Sequence, residues 1–178
     1  MKITLITSGA ITVPNFRGLL IQSLNRQGHN LSAMAPDWND ELRERTRAYG
    51  AEPVDIALDR AGVHPIRDAL NCWLLAGQLR RTAPDAVLCY FAKPAIFGTL
   101  AAWIARVPRR IALIEGLGYV FTEGEDSGGA KRWLLRTITK LLYRNALRAA
   151  DKVAFLNEDD AGQFRAMGLV TADQIIVL

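Results

Sequence analysis

Arg110-Ile-Ala-Leu-Ile-Glu-Gly-Leu-Gly118 is the stretch of sequence that decides the fold. Its apolar run from Ile111 to Ile114 has the length and continuous apolarity of a strand buried on both faces of a sheet. The run stops at Glu115, which places a carboxylate beyond the carboxyl end of the strand, where open parallel sheets bind their ligands. Gly116 and Gly118 allow positive φ angles and the close approach of a bulky ligand. The alternative that these residues leave open is an ordinary strand exit with a solvated Glu115.

The rest of the chain alternates between strand-like and helix-like segments. The predicted strands are Ile3–Thr7, Asn30–Ala35, Glu52–Ile56 (the weakest), Ala86–Tyr90, Ile111–Ile114, Lys152–Leu156 and Ile175–Leu178. The predicted helices are Asn15–Gln27, Asp40–Tyr49, Pro65–Thr82, Ala95–Arg106, Lys131–Ala150 and Glu158–Met167. We expect Gly28 and Gly168 to end helices and Asn157 to cap one. This alternation predicts right-handed βαβ units, and therefore an α/β, Rossmann-like, doubly wound parallel sheet.

Length and composition exclude several classes of protein. The chain has 178 residues, of which half are hydrophobic, so it can bury the core of one globular domain or slightly more. No run approaches the roughly 18 to 20 apolar residues that span a bilayer. The apolar stretch at the amino terminus is too short for the hydrophobic region of a signal peptide. Cys72 and Cys89 lie in apolar segments without metal-ligand spacing, which predicts reduced core thiols in a cytoplasmic protein. The strand-like ending Ile175–Leu178 lacks a polar tail, which predicts a protein cut at a domain boundary.

Two turns carry candidate ligand-binding residues. Gly9 follows the first strand, and we expect free backbone N–H groups at the start of the next helix to suit a phosphate. Arg17 in that helix can bind a phosphate as a bidentate fork, and a surface salt bridge is an equally weighted alternative. Lys93 follows the fourth strand and reaches the same crevice, although lysines there are more often solvated. Neither a dinucleotide-binding nor a P-loop glycine pattern is present.

Charge is concentrated on one predicted helix. The segment from Lys131 to Lys152 holds seven bases and one acid, whereas the other residues hold 15 bases and 17 acids. The bases that recur every four residues form a band along the helix: Arg132, Arg136, Lys140, Arg144 and Arg148. We weigh a solvated helix face against contact with anionic lipid headgroups. Nucleic acid is disfavoured because no aromatic stacking platform or known binding motif accompanies the charge.

Other chemistry is not encoded in an obvious form. With only two histidines, the sequence offers no Ser/His/Asp set and no histidine metal cluster, so no metal is expected.

The segment Thr122–Ala130 is rich in glycine and acids and is predicted to be mobile.

Four blocks of sequence resemble a known family. They are Asn15-Phe-Arg17, Lys93-Pro94 with Phe97-Gly98 and Leu100-Ala-Ala102, Ala112-Leu-Ile-Glu-Gly-Leu-Gly118, and Ala150-Asp-Lys-Val-Ala-Phe-Leu-Asn-Glu158. They look like the amino-terminal domain of family 4 glycosyltransferases with the GT-B fold. Within that family the chain is most similar to PglA-type enzymes, which extend polyprenyl-diphosphate-linked sugars. The resemblance covers nearly the whole chain, and its Glu-Gly-Leu-Gly block is the most specific part.

The resemblance implies a division of labour between two domains. Residues 1–178 would form the acceptor-side, membrane-contacting half, and a carboxyl-terminal domain absent from this chain would bind the nucleotide sugar. Gly9 would lie near the diphosphate and sugar of the donor. Many members carry a histidine where this chain has Glu115, which leaves Glu115 open between binding a hydroxyl and assisting as a base.

The sequence therefore predicts half of a retaining glycosyltransferase that modifies a lipid-linked saccharide in the synthesis of a surface polysaccharide or glycan. The donor would be a UDP-linked sugar acting as co-substrate, without a further cofactor. The acceptor would be polyprenyl-diphosphate-linked, and the enzyme would lie on the anionic inner face of the cell membrane. The predicted site residues are Glu115 as catalytic group, Gly9, Arg17, Lys93, Gly116 and Gly118 for substrate, and Arg132, Arg136, Lys140 and Arg144 for the membrane. By itself this chain would be inactive. The alternatives are a GT-B transferase with a soluble acceptor and a non-catalytic Rossmann-like binding module.

Overall fold

A computed structural model gives the fold of the chain. It describes residues 1–58, 65–116 and 130–178, with the backbone alone described at residue 65 and at residues 130–136. The predicted mobile segment Thr122–Ala130 lies, apart from Ala130, outside the described residues, as does Gly118.

Seven strands form one parallel sheet. They are β1 (Lys2–Ile6), β2 (Asn30–Ala35), β3 (Ala51–Asp55), β4 (Ala86–Tyr90), β5 (Arg109–Ile114), β6 (Lys152–Phe155) and β7 (Ile175–Val177). Their order is β3-β2-β1-β4-β5-β6-β7, and every neighbouring pair is parallel. The chain thus winds outward from β1 in one direction and from β4 in the other. The predicted doubly wound α/β sheet is confirmed, and each predicted strand is present within two residues of its expected ends.

Helices cover both faces of the sheet. They are α1 (Gly18–Arg26), α2 (Asp40–Tyr49), α3 (Pro65–Thr82), α4 (Thr99–Ile104), α5 (Ala130–Ala149) and α6 (Glu158–Ala166), with a short 3₁₀ turn at Ala172–Gln174. Side chains of α1 and α2 pack with Leu5, Ala33 and Ala35 on one face. Those of α3, α4, α5 and α6 pack on the other face, where Ile6, Cys89 and Phe155 lie. This three-layer arrangement buries the strands on both faces, as their apolar runs require.

Local signals set several helix ends, and those at Gly28, Asn157 and Gly168 were expected from the sequence. The Asn39 side chain accepts a hydrogen bond from the Leu42 amide at 2.8 Å and caps α2, and Asn157 accepts one from the Asp160 amide at 2.8 Å and caps α6. Gly28 and Gly168 follow helices with φ angles of 80° and 66°. These left-handed conformations favour glycine, so the predicted helix ends are confirmed.

Two helices begin differently from their predictions. A π-helical turn, Val13–Arg17, precedes α1, and a second one, Pro94–Gly98, precedes α4. Each carries a proline in its first positions and is followed or ended by a closely packed glycine. π-Helical turns are rare in proteins overall, but those that occur are frequently found at functional sites. Both follow strands of the sheet centre, and the first delivers Arg17 to the crevice.

The two cysteines lie in the core. Cys72 and Cys89 are free and buried, and burial raises the pKa of the Cys72 thiol to about 11 and that of Cys89 to about 12. The prediction of reduced core thiols is therefore confirmed for their burial and their unpaired state. Within the described residues, no helix is long and apolar enough to cross a membrane.

Candidate active site

The candidate site lies at the carboxyl ends of the central strands. β1, β4 and β5 are adjacent in the sheet, and each is followed by residues that the sequence singled out: Gly9, Lys93 and Glu115. Because parallel strands point the same way, their following loops meet at one edge, where open α/β sheets place ligands. The strand order reverses between β1 and β4, so this edge lies at the topological switch point of the sheet.

Arg17 and Glu115 form an ion pair at this edge. Arg17 Nη2 donates to Glu115 Oε1. Their side chains are only 15% and 18% exposed, so the pair is largely withdrawn from water. A partly buried pair of this kind holds both groups in one geometry, because separating them leaves a charge with little solvation. The structure thus brings together two predicted site residues whose contact the sequence did not predict.

Tyr90 forms the floor under Arg17. This last residue of β4 is fully buried, and the guanidinium carbon of Arg17 lies 4.8 Å from the centre of its ring, within the range of a cation–π contact. Burial raises the pKa of the Tyr90 hydroxyl above its ordinary value, so the hydroxyl stays protonated. Arg17 is therefore held by a carboxylate at its tip and by an aromatic face below it.

A short hydroxyl network connects Tyr90 to the first turn. Thr12 Oγ1 donates to the Gly9 carbonyl at 2.6 Å. Since its single proton is used there, Thr12 Oγ1 accepts from the hydroxyls of Thr7 and Tyr90, at 3.0 Å and 3.3 Å. This network fixes the loop after β1 against the end of β4.

Two polar atoms of the ion pair keep unused bonding capacity. Glu115 Oε2 and Arg17 Nε are buried and have no hydrogen-bond partner among the described residues. Leaving such atoms unsatisfied costs about 1 to 3 kcal/mol each, so a site that keeps them is suited to a ligand that supplies the missing bonds. The free carboxylate oxygen accepts from a hydroxyl, and the free Nε donates to an oxygen.

Three of the amides between Gly9 and the predicted helix start at Asn15 are already used within the protein. The amides of Thr12 and Val13 donate to the carbonyls of Gly9 and Ala10, at 3.1 Å and 3.0 Å. The Ala10 amide donates to Asp37 Oδ1 at 3.0 Å, and Pro14 has no N–H. Ala10, Thr12 and Val13 therefore have no free N–H group, because the turn itself and a carboxylate from the loop after β2 accept these hydrogen bonds. The expectation of free N–H groups at the start of the predicted helix, from Asn15 onward, stays a prediction.

Lys93 faces a second acid. Its Nζ lies 2.8 Å from Asp68 Oδ1 on α3, and the two side chains are 12% and 1% exposed. An ammonium has three donor positions, so this contact leaves capacity for another acceptor. The described contacts place Lys93 with α3 rather than with the Arg17–Glu115 pair.

The remaining predicted residues divide between this edge and the helical layer. Gly116 adopts a φ of 140°, and a Cβ at this position would meet nothing within 4 Å, so the backbone conformation requires glycine and leaves open space beside Glu115. Lys140 and Arg144 are exposed on α5; Arg132 and Arg136 belong to the same helix. A surface groove of about 430 Å³ lies elsewhere, at the amino ends of β2 and β3.

Sequence reasoning missed three residues of the site. Tyr90, Asp37 and Asp68 lie in segments that read as strand end, turn and helix. For Asp68, the one feature visible in the sequence is that it is the single acid on a helix that otherwise carries only basic charges. In the described ranges, no group of three His, Cys, Asp or Glu side chains is placed to hold a metal ion.

Solved structures share this fold. The chain is similar to the UDP-N-acetylglucosamine 2-epimerase of Neisseria meningitidis bound to UDP-N-acetylglucosamine, with a TM-score of 0.64, 13% identity, and coverage of 99% of this chain and 46% of that one. It is also similar to a glycosyltransferase of Rickettsia africae, with a TM-score of 0.63, 16% identity, and coverage of 99% and 42%. At these identities the likeness concerns the fold alone.

Epimerases and glycosyltransferases share this fold, and sequence comparison distinguishes between them for this chain. An N,N'-diacetylbacillosaminyl-diphospho-undecaprenol alpha-1,3-N-acetylgalactosaminyltransferase from Campylobacter jejuni is 28% identical over 169 residues, which are 95% of this chain and 43% of that enzyme. The chain thus spans less than half the length of this relative. A model of the Glycosyl transferase 4-like domain matches residues 16–178. The resemblance noted from the sequence is confirmed, and the chain belongs to the family of Glycosyl transferase 4-like domains.

Proposed function

We propose that this chain is the acceptor-side half of a retaining glycosyltransferase. The complete enzyme would transfer a sugar from a nucleotide sugar, UDP-linked, to a polyprenyl-diphosphate-linked saccharide. It would work on the inner face of the cell membrane in the synthesis of a surface polysaccharide or glycan. A carboxyl-terminal domain would hold the donor. Membership of the family and the likeness to an enzyme that acts on an undecaprenol-linked substrate support this proposal.

The observation that carries the proposal is the unused oxygen of Glu115. Oε2 is buried beside the crevice and has no partner among the described residues, while Oε1 is held by Arg17. A carboxylate fixed in this way accepts a hydrogen bond from a sugar hydroxyl at a defined position. Such positioned groups stabilise a transition state more than a freely moving carboxylate does, because they need no reorganisation during the reaction.

Charge around the crevice suits a diphosphate. Glycosyl transfer leaves negative charge on the departing nucleotide and develops positive charge at the sugar. We propose that Arg17, with the turn at Gly9, lies toward the donor diphosphate, and that Glu115 lies toward the reacting sugars. Gly116 and Gly118 would give the acceptor room. Lys93, through its remaining donor positions, would contact the diphosphate of the acceptor.

The test uses the complete protein encoded by the gene. Wild-type enzyme, Glu115→Gln and Glu52→Gln are incubated with UDP-sugars and a polyprenyl-diphosphate-linked saccharide, and the product is quantified. We expect Glu115→Gln to lower kcat on the order of 10², because the amide keeps the shape and removes the charge. Glu52 is paired with Arg47 at an exposed site, so its amide variant should retain full activity.

Each outcome decides between the candidate functions. Transfer to a water-soluble saccharide but never to the lipid-linked one would replace the proposal with a soluble-acceptor transferase. Conversion of the UDP-sugar without any acceptor would indicate epimerisation. Absence of both from the complete protein would indicate a binding module. The anomeric configuration of the product, read by NMR, tests retention.

A further inference from the structure

Tyr90 lies in the middle of the strands whose loops form the crevice. It is the last residue of β4, and β4 pairs with β1 on one side and with β5 on the other. In the register of the sheet, Tyr90 lies beside Leu113, which precedes Glu115 by two residues. The loop that carries Gly9 follows β1, the other neighbour of β4. Tyr90 is therefore placed between the two parts of the candidate site.

The Tyr90 side chain lies on the same face of the sheet as the Arg17–Glu115 pair. Side chains alternate between the two faces along a strand, so Cys89 packs in the core on one face while Tyr90 packs with Leu113 on the other. The ring is fully buried, and the guanidinium carbon of Arg17 lies 4.8 Å from its centre. A cation over a desolvated ring is attracted more strongly than one at an exposed site. The ring therefore helps to hold Arg17 where it meets Glu115.

The backbone beyond Tyr90 has an uncommon conformation. Phe91 has a φ angle of 69°, in the left-handed region that bulky residues rarely adopt. Its carbonyl accepts a hydrogen bond from the Ala95 amide at 2.8 Å, and its ring centre lies 5.3 Å from that of Tyr90. Such conformations persist only where the surrounding structure determines them, and they cluster at active sites. β4 therefore ends at a fixed point, and Tyr90 is held there with it.

The Tyr90 hydroxyl contacts the other part of the site. It donates to Thr12 Oγ1 at 3.3 Å, and Thr12 Oγ1 in turn donates to the Gly9 carbonyl at 2.6 Å. The hydroxyls of Thr12 and Thr7 lie 3.0 Å apart in the same network. All three hydroxyl-bearing residues are buried, and hydrogen bonds are stronger in such surroundings than in water. One side chain thus contacts Arg17 through its ring and the Gly9 loop through its hydroxyl.

We propose that Tyr90 is a positioning residue that holds the donor side and the acceptor side of the site in register. Its ring fixes Arg17 and thereby the direction of Glu115, and its hydroxyl fixes the loop at Gly9. Because Tyr90 has no exposed surface, it acts through these neighbours and not on the reacting atoms. The proposal rests on the proposed function, which puts the donor diphosphate near Gly9 and the reacting sugars near Glu115.

The first arm of the test removes the hydroxyl contact and keeps the ring. In the complete protein, we expect Tyr90→Phe and Thr12→Val each to raise KM for the UDP-sugar roughly fivefold to tenfold, the size of one hydrogen bond. kcat should stay within about twofold of wild type. The double variant should be little worse than Thr12→Val, because both substitutions break the same link. Tyr143→Phe is the matched control: this tyrosine of α5 is also buried, but on the other face of the sheet, and its variant should keep the wild-type KM.

The second arm weakens the attraction of the ring for a cation and keeps its shape. Tyr90→trifluorophenylalanine is compared with Tyr90→Phe, so that the hydroxyl is absent from both. Fluorine withdraws electron density from the ring face, which is the part that attracts Arg17. We expect kcat to fall by a further factor of roughly five, with KM for the UDP-sugar unchanged. The same replacement at Phe155, a fully buried ring that packs on Phe164, should leave kcat unchanged.

The separation of the two effects decides the proposal. An effect in one arm only, or losses that the two controls reproduce, would overturn it, since Tyr90 would then hold one side of the site or merely support the core. A pH profile of kcat that changes in Tyr90→Phe would show proton transfer by the hydroxyl and would also overturn it. Urea unfolding checks that every variant is folded. Absence of transfer by the wild-type protein would refute the proposed function, and this role of Tyr90 with it. An active wild type whose Tyr90 variants behave as the controls do would refute the role of Tyr90 alone.

Discussion

Arg17 and Glu115 are 98 residues apart in the sequence and form one unit in the structure. Each was singled out from its own neighbourhood: Arg17 from the opening of a helix and Glu115 from the end of a strand. Of the two alternatives for Arg17, the salt bridge is the contact that the structure shows. It differs from an ordinary surface salt bridge because the pair lies in the crevice and is largely withdrawn from water. The contact fixes the direction of the carboxylate, so Arg17 positions Glu115 whatever else it binds.

The Lys93–Asp68 pair gives a prediction at the same scale. Lys93→Ala removes the cation from a carboxylate that is 1% exposed, so we expect the free energy of unfolding to fall by about 3 kcal/mol. Measured where the variant remains folded, KM for the diphosphate-bearing acceptor should rise while kcat changes little. Urea unfolding and steady-state kinetics of the complete protein check the two effects.

Two further variants serve as controls for this prediction. Lys93→Ala/Asp68→Asn should recover part of the lost stability, because the buried charge is removed with its partner. Arg47→Ala breaks an exposed pair with Glu52 and should have no measurable effect, since exposed pairs contribute little. An unchanged KM would leave Lys93 with a structural role alone.

The π-helical turns are the main difference between the expected and the observed elements. The spacing of apolar residues predicted helices that begin near Asn15 and Ala95. It could not show that each begins with a π-helical turn, because such a turn holds one extra residue and the apolar spacing in the rest of the helix is unchanged. Close packing accompanies both turns. A Cβ on Gly18 would lie 2.6 Å from the Tyr49 ring, and one on Gly98 would lie 3.0 Å from Cys89 Sγ.

Gly18→Ala tests the importance of the first of these contacts. The added methyl group must displace the Tyr49 ring of α2, so we expect a loss of about 1 to 3 kcal/mol in the free energy of unfolding. Gly162→Ala in α6 is the matched control, because its Cβ would meet nothing within 4 Å and alanine favours a helix. It should leave stability unchanged or raise it. Equal effects of the two substitutions would contradict the packing argument.

At the scale of the whole molecule, our proposal is that the chain supplies one side of a reaction centre. Its crevice collects side chains from loops after β1, β4 and β5, and it matches less than half of its relative. We predict that the 178 residues by themselves fold and transfer no sugar. Circular dichroism and a product assay with a UDP-sugar and lipid-linked acceptor check this expectation. Turnover by this chain alone would show that no second domain is needed.

Burial of weak acids predicts an alkaline limit to stability. Burial raises the pKa of Cys72 from 9.0 to about 11, that of Cys89 to about 12 and that of Tyr143 from 10.0 to about 12. Above pH 9 the unfolded chain releases these protons first, so unfolding becomes easier as the pH rises toward 12. Urea titrations under reducing conditions, from neutrality upward, should show this decline. Cys72→Ala should decline less between pH 9 and pH 11, and an equal decline would contradict the assignment.

The sequence by itself determined the strands, most helices, the family and the edge of the sheet at which the candidate site lies. These features depend on periodicity, on caps such as Asn157 and on local blocks such as the one around Glu115, and neighbouring residues encode all of them. Only the tertiary structure decided that Arg17 pairs with Glu115 and stacks on Tyr90. It also decided that Lys93 pairs with Asp68, and that Asp37 accepts the hydrogen bond of the Ala10 amide. It also decided which apolar residues of α3 face the sheet and which remain exposed. Such contacts depend on which loops converge when parallel strands align, and that convergence is a property of the whole sheet.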